Sequence, residues 1–205
     1  MRTQHRLVST ATVAIILFSM AGFAQNLVGN GDFDADVSGW TPHSVIFEWD
    51  SADCHQVPAS GSGRVTNDND GTTNSGTTFC VDGVVGGQSY DLGGWAWVPT
   101  GQTGYGSASY GLYWRGGPGC GGTQTWVGQT PTVHVSNGWV PLAMFGLVAP
   151  PGTQSAQVDI GNNKVSPGTD PYVSYHDGIF FGSYGGIFAD GFESGATNIW
   201  STTQY

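Results

Sequence analysis

Basic residues are almost missing from this chain. Lys and Arg number five among 205 residues, and two of them, Arg2 and Arg6, lie at the extreme N-terminus, leaving Arg64, Arg115 and Lys164 against fifteen Asp and Glu. Nucleic acid is excluded as a partner, because phosphate binding needs clustered Lys and Arg. With so few basic groups to pair with, the carboxylates either attract divalent cations or serve as a solvated acidic surface that keeps the protein soluble. Long apolar runs are missing too. The run from Ala11 to Met20 is about ten residues, too short for a bilayer that needs roughly 20. Preceded by Arg2 and Arg6 and followed by the small residues of Ala21-Gly22-Phe23-Ala24, it reads as a signal peptide over residues 1–24. No Cys follows Ala24, which argues against a lipid anchor, so the expectation is an exported protein, extracellular or periplasmic, with no membrane association after cleavage.

Catalytic signatures are also missing. There is no G-x-S-x-G elbow, no H-E-x-x-H and no glycine loop with a phosphate-binding Lys. Glu48 and Asp50 fall on one face of a strand about 7 Å apart, a separation that suits glycoside hydrolysis but is common to every such strand pair. His43, His55 and His176 lack zinc-ligand spacing and read as surface or strand residues. Cys120 as a nucleophile would need His134 as its base, a pairing with little else behind it. The loop Asp68-Asn69-Asp70-Gly71 has Thr66 where a calcium loop begins with Asp, and no closing Glu, so it reads as a polar hairpin loop.

What the chain does have is glycine and aromatics: 34 Gly, eight Trp, eight Tyr and ten Phe. That many rings demand a core, and strand-length runs bounded by Gly, Pro, Asn and Asp point to an all-β, two-sheet antiparallel β-sandwich. Tyr90 to Val98 is the clearest strand. Period two places Tyr90, Leu92, Gly94, Ala96 and Val98 on one face and Asp91, Gly93, Trp95 and Trp97 on the other. The first face is a packed core; the second either lines a shallow aromatic groove or lies under a loop or the other sheet. Ser107 to Arg115 repeats the pattern, with Ala108, Tyr110, Leu112 and Trp114 opposite Ser109, Gly111 and Tyr113. If neighbouring strands share the groove face, Tyr113 stands near Trp95 or Trp97. These three are the expected ligand-binding residues, because a flat ring offers a π-face to the C–H face of a sugar.

The opening stretch Asn26-Leu27-Val28-Gly29-Asn30-Gly31-Asp32-Phe33-Asp34, followed by Gly39-Trp40, resembles the N-terminal signature of the jelly-roll carbohydrate-binding modules of secreted bacterial glycoside hydrolases. Ser174-Tyr175-His176-Asp177-Gly178-Ile179-Phe180-Phe181 resembles that family's closing strand, except that Gly178 stands where a second Asp is common. The resemblance implies a jelly roll over residues 25–182, first and last strands adjacent, and a structural calcium between them. Its ligands would be Asp177, the backbone carbonyl of Asp32 and the side chain of Asp34. It further implies a non-catalytic monomer that binds a polysaccharide or oligosaccharide. A structural or adhesive surface protein and a secreted glycoside hydrolase are the alternatives.

Residues 183–205 form a tail in which Asp190-Gly191-Phe192-Glu193-Ser194-Gly195 is similar to the ends of various secreted bacterial proteins. Three cysteines, Cys54, Cys80 and Cys120, lie in the exported part, where disulfides form. Cys54 precedes a strand expected to pair with the strand of Cys80, so the expected bridge is Cys54–Cys80, with Cys120 free.

Overall fold

Alternation of small or apolar residues with polar ones over three to twelve residues gives ten strands and, among the described residues, no helix. The computed structural model describes residues 25–57, 60–70, 73–166 and 168–183; the segment 1–24 read as a signal peptide, and all of the 183–205 tail except Ser183, lie outside them. The strands are β1 (Thr41–His43), β2 (Ile46–Asp50), β3 (Ser62–Asn67), β4 (Thr73–Asp82), β5 (Ser89–Trp97), β6 (Gly106–Arg115), β7 (Gln124–Gln129), β8 (Val140–Val148), β9 (Ser155–Lys164) and β10 (Tyr172–Ser183). They form two five-stranded antiparallel sheets, β1-β4-β9-β6-β7 and β2-β3-β10-β5-β8. Each sheet turns one face inward, as a sandwich requires.

The inner faces follow the sequence periods. Ala108, Tyr110 and Leu112 on β6, Ala156 and Val158 on β9, and Leu92 and Ala96 on β5 are fully buried. Tyr90 stacks on Phe181 at 5.2 Å and packs against Trp114, joining the two sheets through aromatic contacts. Several of the polar groups in this interior are paired. Asn162 donates to Ser174 Oγ at 2.8 Å, and Lys164 Nζ donates to the carbonyls of Asn69 and Gly168. Buried His176 lies between Ser174 Oγ at 2.9 Å and Tyr110 Oη at 3.3 Å, and burial lowers its pKa to about 3, keeping it neutral.

Three topological facts differ from the sequence reading. β5 and β6, consecutive in sequence, are in opposite sheets, so Tyr113 does not stand beside Trp95 or Trp97. The same applies to β3 and β4, so the segment around Asp68 joins two sheets rather than forming a hairpin. The disulfide joins Cys80 to Cys120, and Cys54 is the free thiol. The physical reason is register. Cys80 on β4 faces Gln157 on β9, and the loop after β6 folds back over β9, where Cys120 N–H reaches Ser155 Oγ at 3.2 Å.

The chain start packs against the chain end. β3 pairs with β10 only over Tyr172 to His176, and the opening segment takes over further along. Leu27 N–H donates to the Phe181 carbonyl at 2.7 Å, Ile179 N–H to the Gly31 carbonyl at 2.9 Å, and the Asn26 side chain bonds both Ile179 and Phe181. Gly31 is required by contact: a Cβ there would lie 2.0 Å from the Ile179 carbonyl oxygen. Gly31→Ala is expected to destabilise the protein by about 1–3 kcal/mol through overpacking. A urea titration reads this as a lower midpoint with unchanged slope.

Candidate glycan groove and carboxylate cluster

The outer face of the first sheet is hollow at its centre because its strands place small residues there. Gly76, Gly161 and Ser109 lie side by side across β4, β9 and β6. The resulting groove, about 260 Å³, is lined by His43, Thr78, Tyr113, Gln124, Gln157 and Asp159 among others. Tyr113 gives it one aromatic side, and Trp126 flanks that ring beyond the groove lining. Tyr113 on β6 pairs with Trp126 on β7, their rings 4.6 Å apart and tilted by 53°. The indole of Trp126 lies over Gly111, where a Cβ would meet it at 2.9 Å, and the residue remains 49 % exposed.

The floor of the groove is polar and already linked. Arg115 Nη2 donates to Gln157 Oε1, and Gln157 Nε2 donates to Asp159 Oδ1 at 2.8 Å. His43 Nε2 is 3.0 Å from Thr78 Oγ1 on the far side. Partial burial raises the Asp159 pKa, opposed by the Gln157 hydrogen bond and by His43 and Arg115. Such a floor offers donors and acceptors in fixed positions beside a flat apolar wall.

Trp95 and Trp97 stand on the outer face of the opposite sheet, as their strand period requires. Trp97 stacks on Tyr175 at 5.0 Å and 26°, and leans on Trp139 at 6.1 Å. In register with them lie Arg64 and Glu48, joined by a 2.7 Å ion pair, so one row of side chains crosses that sheet. Stacking against each other covers ring faces that a ligand would need. The pairing with Arg64 also occupies Glu48, one of the two carboxylates weighed for hydrolysis.

The expected metal ligands fall into two groups. Ser60 Oγ donates to Asp34 Oδ1 at 3.1 Å and lies 3.5 Å from the Asp32 carbonyl oxygen. Asp177, fully buried, accepts from Cys54 N–H at 2.9 Å and from Gly178 N–H at 2.7 Å. Its ligand atom clusters instead with those of Asp53, Cys54 and His55, all within 4.8 Å of one another. Burial pushes the Asp177 pKa up to about 7, and burial together with the charge of Asp177 pushes the Cys54 thiol well above its ordinary value. A calcium ion takes six to eight oxygen ligands, so a thiol and an imidazole beside Asp177 do not fit it.

Sequence reasoning missed Trp126, Gln157, Asp159 and His55. For the two on β9 a signal existed: Ala156, Val158 and Ile160 alternate toward the core, which puts Gln157 and Asp159 on the outer face. Trp126 sits in a short polar strand, and the place of His55 depends on a loop that meets a strand 120 residues later.

The solved structures that share this topology are similar in fold and distant in sequence. The CBM22-1 xylan-binding domain of Paenibacillus barcinonensis Xyn10C superposes with a TM-score of 0.58 at 15 % identity, covering 80 % of this chain and 97 % of that domain. The fold is a jelly roll, like that of this carbohydrate-binding module. The C-terminal family 22 carbohydrate-binding module of Clostridium thermocellum Xyn10B gives 0.56 at 19 % identity, covering 78 % of this chain and 96 % of that one. The enzymatically active domain of tailspike protein 4 from bacteriophage CBA120 gives 0.57 at 17 % identity, but this chain spans only 21 % of its length. No protein-family profile and no curated protein matches the sequence.

Proposed function

We propose that this protein binds a polysaccharide or oligosaccharide in the groove on the outer face of the first sheet and does not cleave it. The observation that carries this is the Tyr113–Trp126 wall standing over the linked Arg115, Gln157 and Asp159. A pyranose ring has an apolar C–H face and a rim of hydroxyls. The tilted rings receive the first, and the carboxylate, amide and guanidinium receive the second. Two similar folds support the reading: one is described as xylan-binding, and the other through amino acids in its cleft that act in ligand binding. The signal-like segment at residues 1–24 supports export, where polysaccharides are met.

Affinity electrophoresis through gels containing xylan, galactan or mixed β-glucan tests the proposal, with a reducing-sugar assay on the same polysaccharides. The expected result is retarded migration on at least one of them, with no sugar released. Unchanged mobility on every polysaccharide would remove the groove as a glycan site, and released reducing ends would make the protein a hydrolase.

A further inference from the structure

We propose that Asp53, Cys54, His55 and Asp177 bind a borderline divalent cation of the zinc class, through a thiolate, an imidazole and two carboxylates. Neither the glycan groove nor the calcium site implied by the opening motif contains this set. Four donor atoms lie within 4.8 Å of one another, and Cys54 Sγ is 3.3 Å from His55 Nδ1. In a tetrahedral zinc site, with Zn–S near 2.3 Å and Zn–N near 2.0–2.1 Å, the sulfur and nitrogen stand about 3.5 Å apart. The carboxyl oxygens of Asp53 and Asp177 belong to the same cluster, within 4.8 Å of each other. The backbone N–H groups of Cys54 and Gly178 donate to Asp177, and the side chains of Cys54 and Asp53 also reach it. A cation between the carboxylates offsets their repulsion and the cost of burying charge.

The loop is built before any ion arrives. Asp53 accepts from His55 N–H at 2.9 Å and from Val57 N–H, while Gln56 turns through a positive φ of 57°. Cys54 N–H then ties the loop to Asp177 on β10. On the other side Gly178 adopts φ of 55°, and a Cβ there would lie 3.4 Å from His55 Cε1 and 3.1 Å from Trp95 Cδ1. Beside Asp177 stand a thiol sulfur and an imidazole nitrogen, donors that favour zinc over calcium. Four protein ligands complete a tetrahedron, so the ion would hold the loop to β10 and leave no position for substrate. On binding, the Cys54 thiol proton leaves to solvent and the sulfur–metal bond forms, with no change of oxidation state.

The test uses the full chain, stripped with chelator and handled without oxygen, titrated with zinc, calcium and cobalt(II). The expected result is one zinc per chain by calorimetry, and a thiolate-to-cobalt charge-transfer band with cobalt(II). Cys54→Ser should remove the band, and both Cys54→Ser and His55→Ala should weaken zinc by more than roughly tenfold, the loss that groups merely hydrogen-bonded to a ligand already cause. Both residues are on a surface loop, so circular dichroism of the variants should match wild type. Zinc bound equally well by both variants, a missing cobalt band, or calcium bound with no zinc binding would each overturn the proposal. Glycan retention is read separately, on the opposite sheet, and stands or falls without it.

Discussion

A variant carrying Tyr113→Ala and Trp126→Ala should lose glycan retention while melting close to wild type. Two aromatic anchors in a groove are the type of contact that dominates binding, and their joint removal should cost about 3 kcal/mol, roughly a hundredfold in Kd. The fold should tolerate the change because both rings point outward, and Trp126 belongs to β7 at the sheet edge. The control is on the other face. Trp95→Ala should leave retention unchanged, whereas Trp97→Ala should lower the melting temperature by exposing Tyr175 and Trp139. Affinity electrophoresis and calorimetry on the three variants separate the cases. Retention that survives the Tyr113 and Trp126 changes but fails with Trp95 would move the binding face to the second sheet.

Cys80→Ser with Cys120→Ser should be the most destabilising surface change available. The bridge closes 40 residues of sequence, and the loop-entropy relation assigns such a closure about 4 kcal/mol. For a domain this size, that corresponds to a fall in Tm of roughly 8–16 °C. The cost has a functional side. Cys80, Gln157, Tyr113 and Trp126 occupy one cross-strand row, so the bridge borders the row that carries the groove wall. Its loss frees the glycine loop after β6, which passes through positive φ at Gly119, Cys120 and Gly122. Differential scanning calorimetry of the double serine variant measures the stability term. A shift of less than about 3 °C would show that the unfolded chain is already compact without the bridge.

Inner and outer faces were readable because alternation is a property of each strand alone. Leu92, Ala96 and Val98 face the core and Trp95 and Trp97 do not, as their spacing states. Which sheet a strand joins is a different kind of information. Nothing in the pattern of Tyr90 to Val98 says that the next strand crosses to the other side, and this crossing separated Tyr113 from the two tryptophans. The cysteines failed for the same reason: Cys54 is earlier in sequence than Cys80, but its loop reaches β10, while Cys120 reaches the β9–β4 pair. The candidate groove was half legible, with Tyr113 named and Trp126 missed. The opening motif indicated that the chain ends meet, and hydrogen bonds from Asn26 and Leu27 to β10 bear that out.

The meeting of the ends makes the domain easy to transplant. Gly182 packs so closely on Gln25 that a Cβ would lie 2.2 Å from the Gln25 carbonyl oxygen. The backbone therefore enters and leaves through a single point, on the sheet opposite the groove. Spliced into a surface loop of a host protein, the sandwich would hang from a two-stranded stalk with its groove facing away from the host. A circular permutant that joins Ser183 to Gln25 through a short linker and opens at Gly101, where the backbone turns through φ of 79° with nothing near its Cβ position, retains every strand pairing.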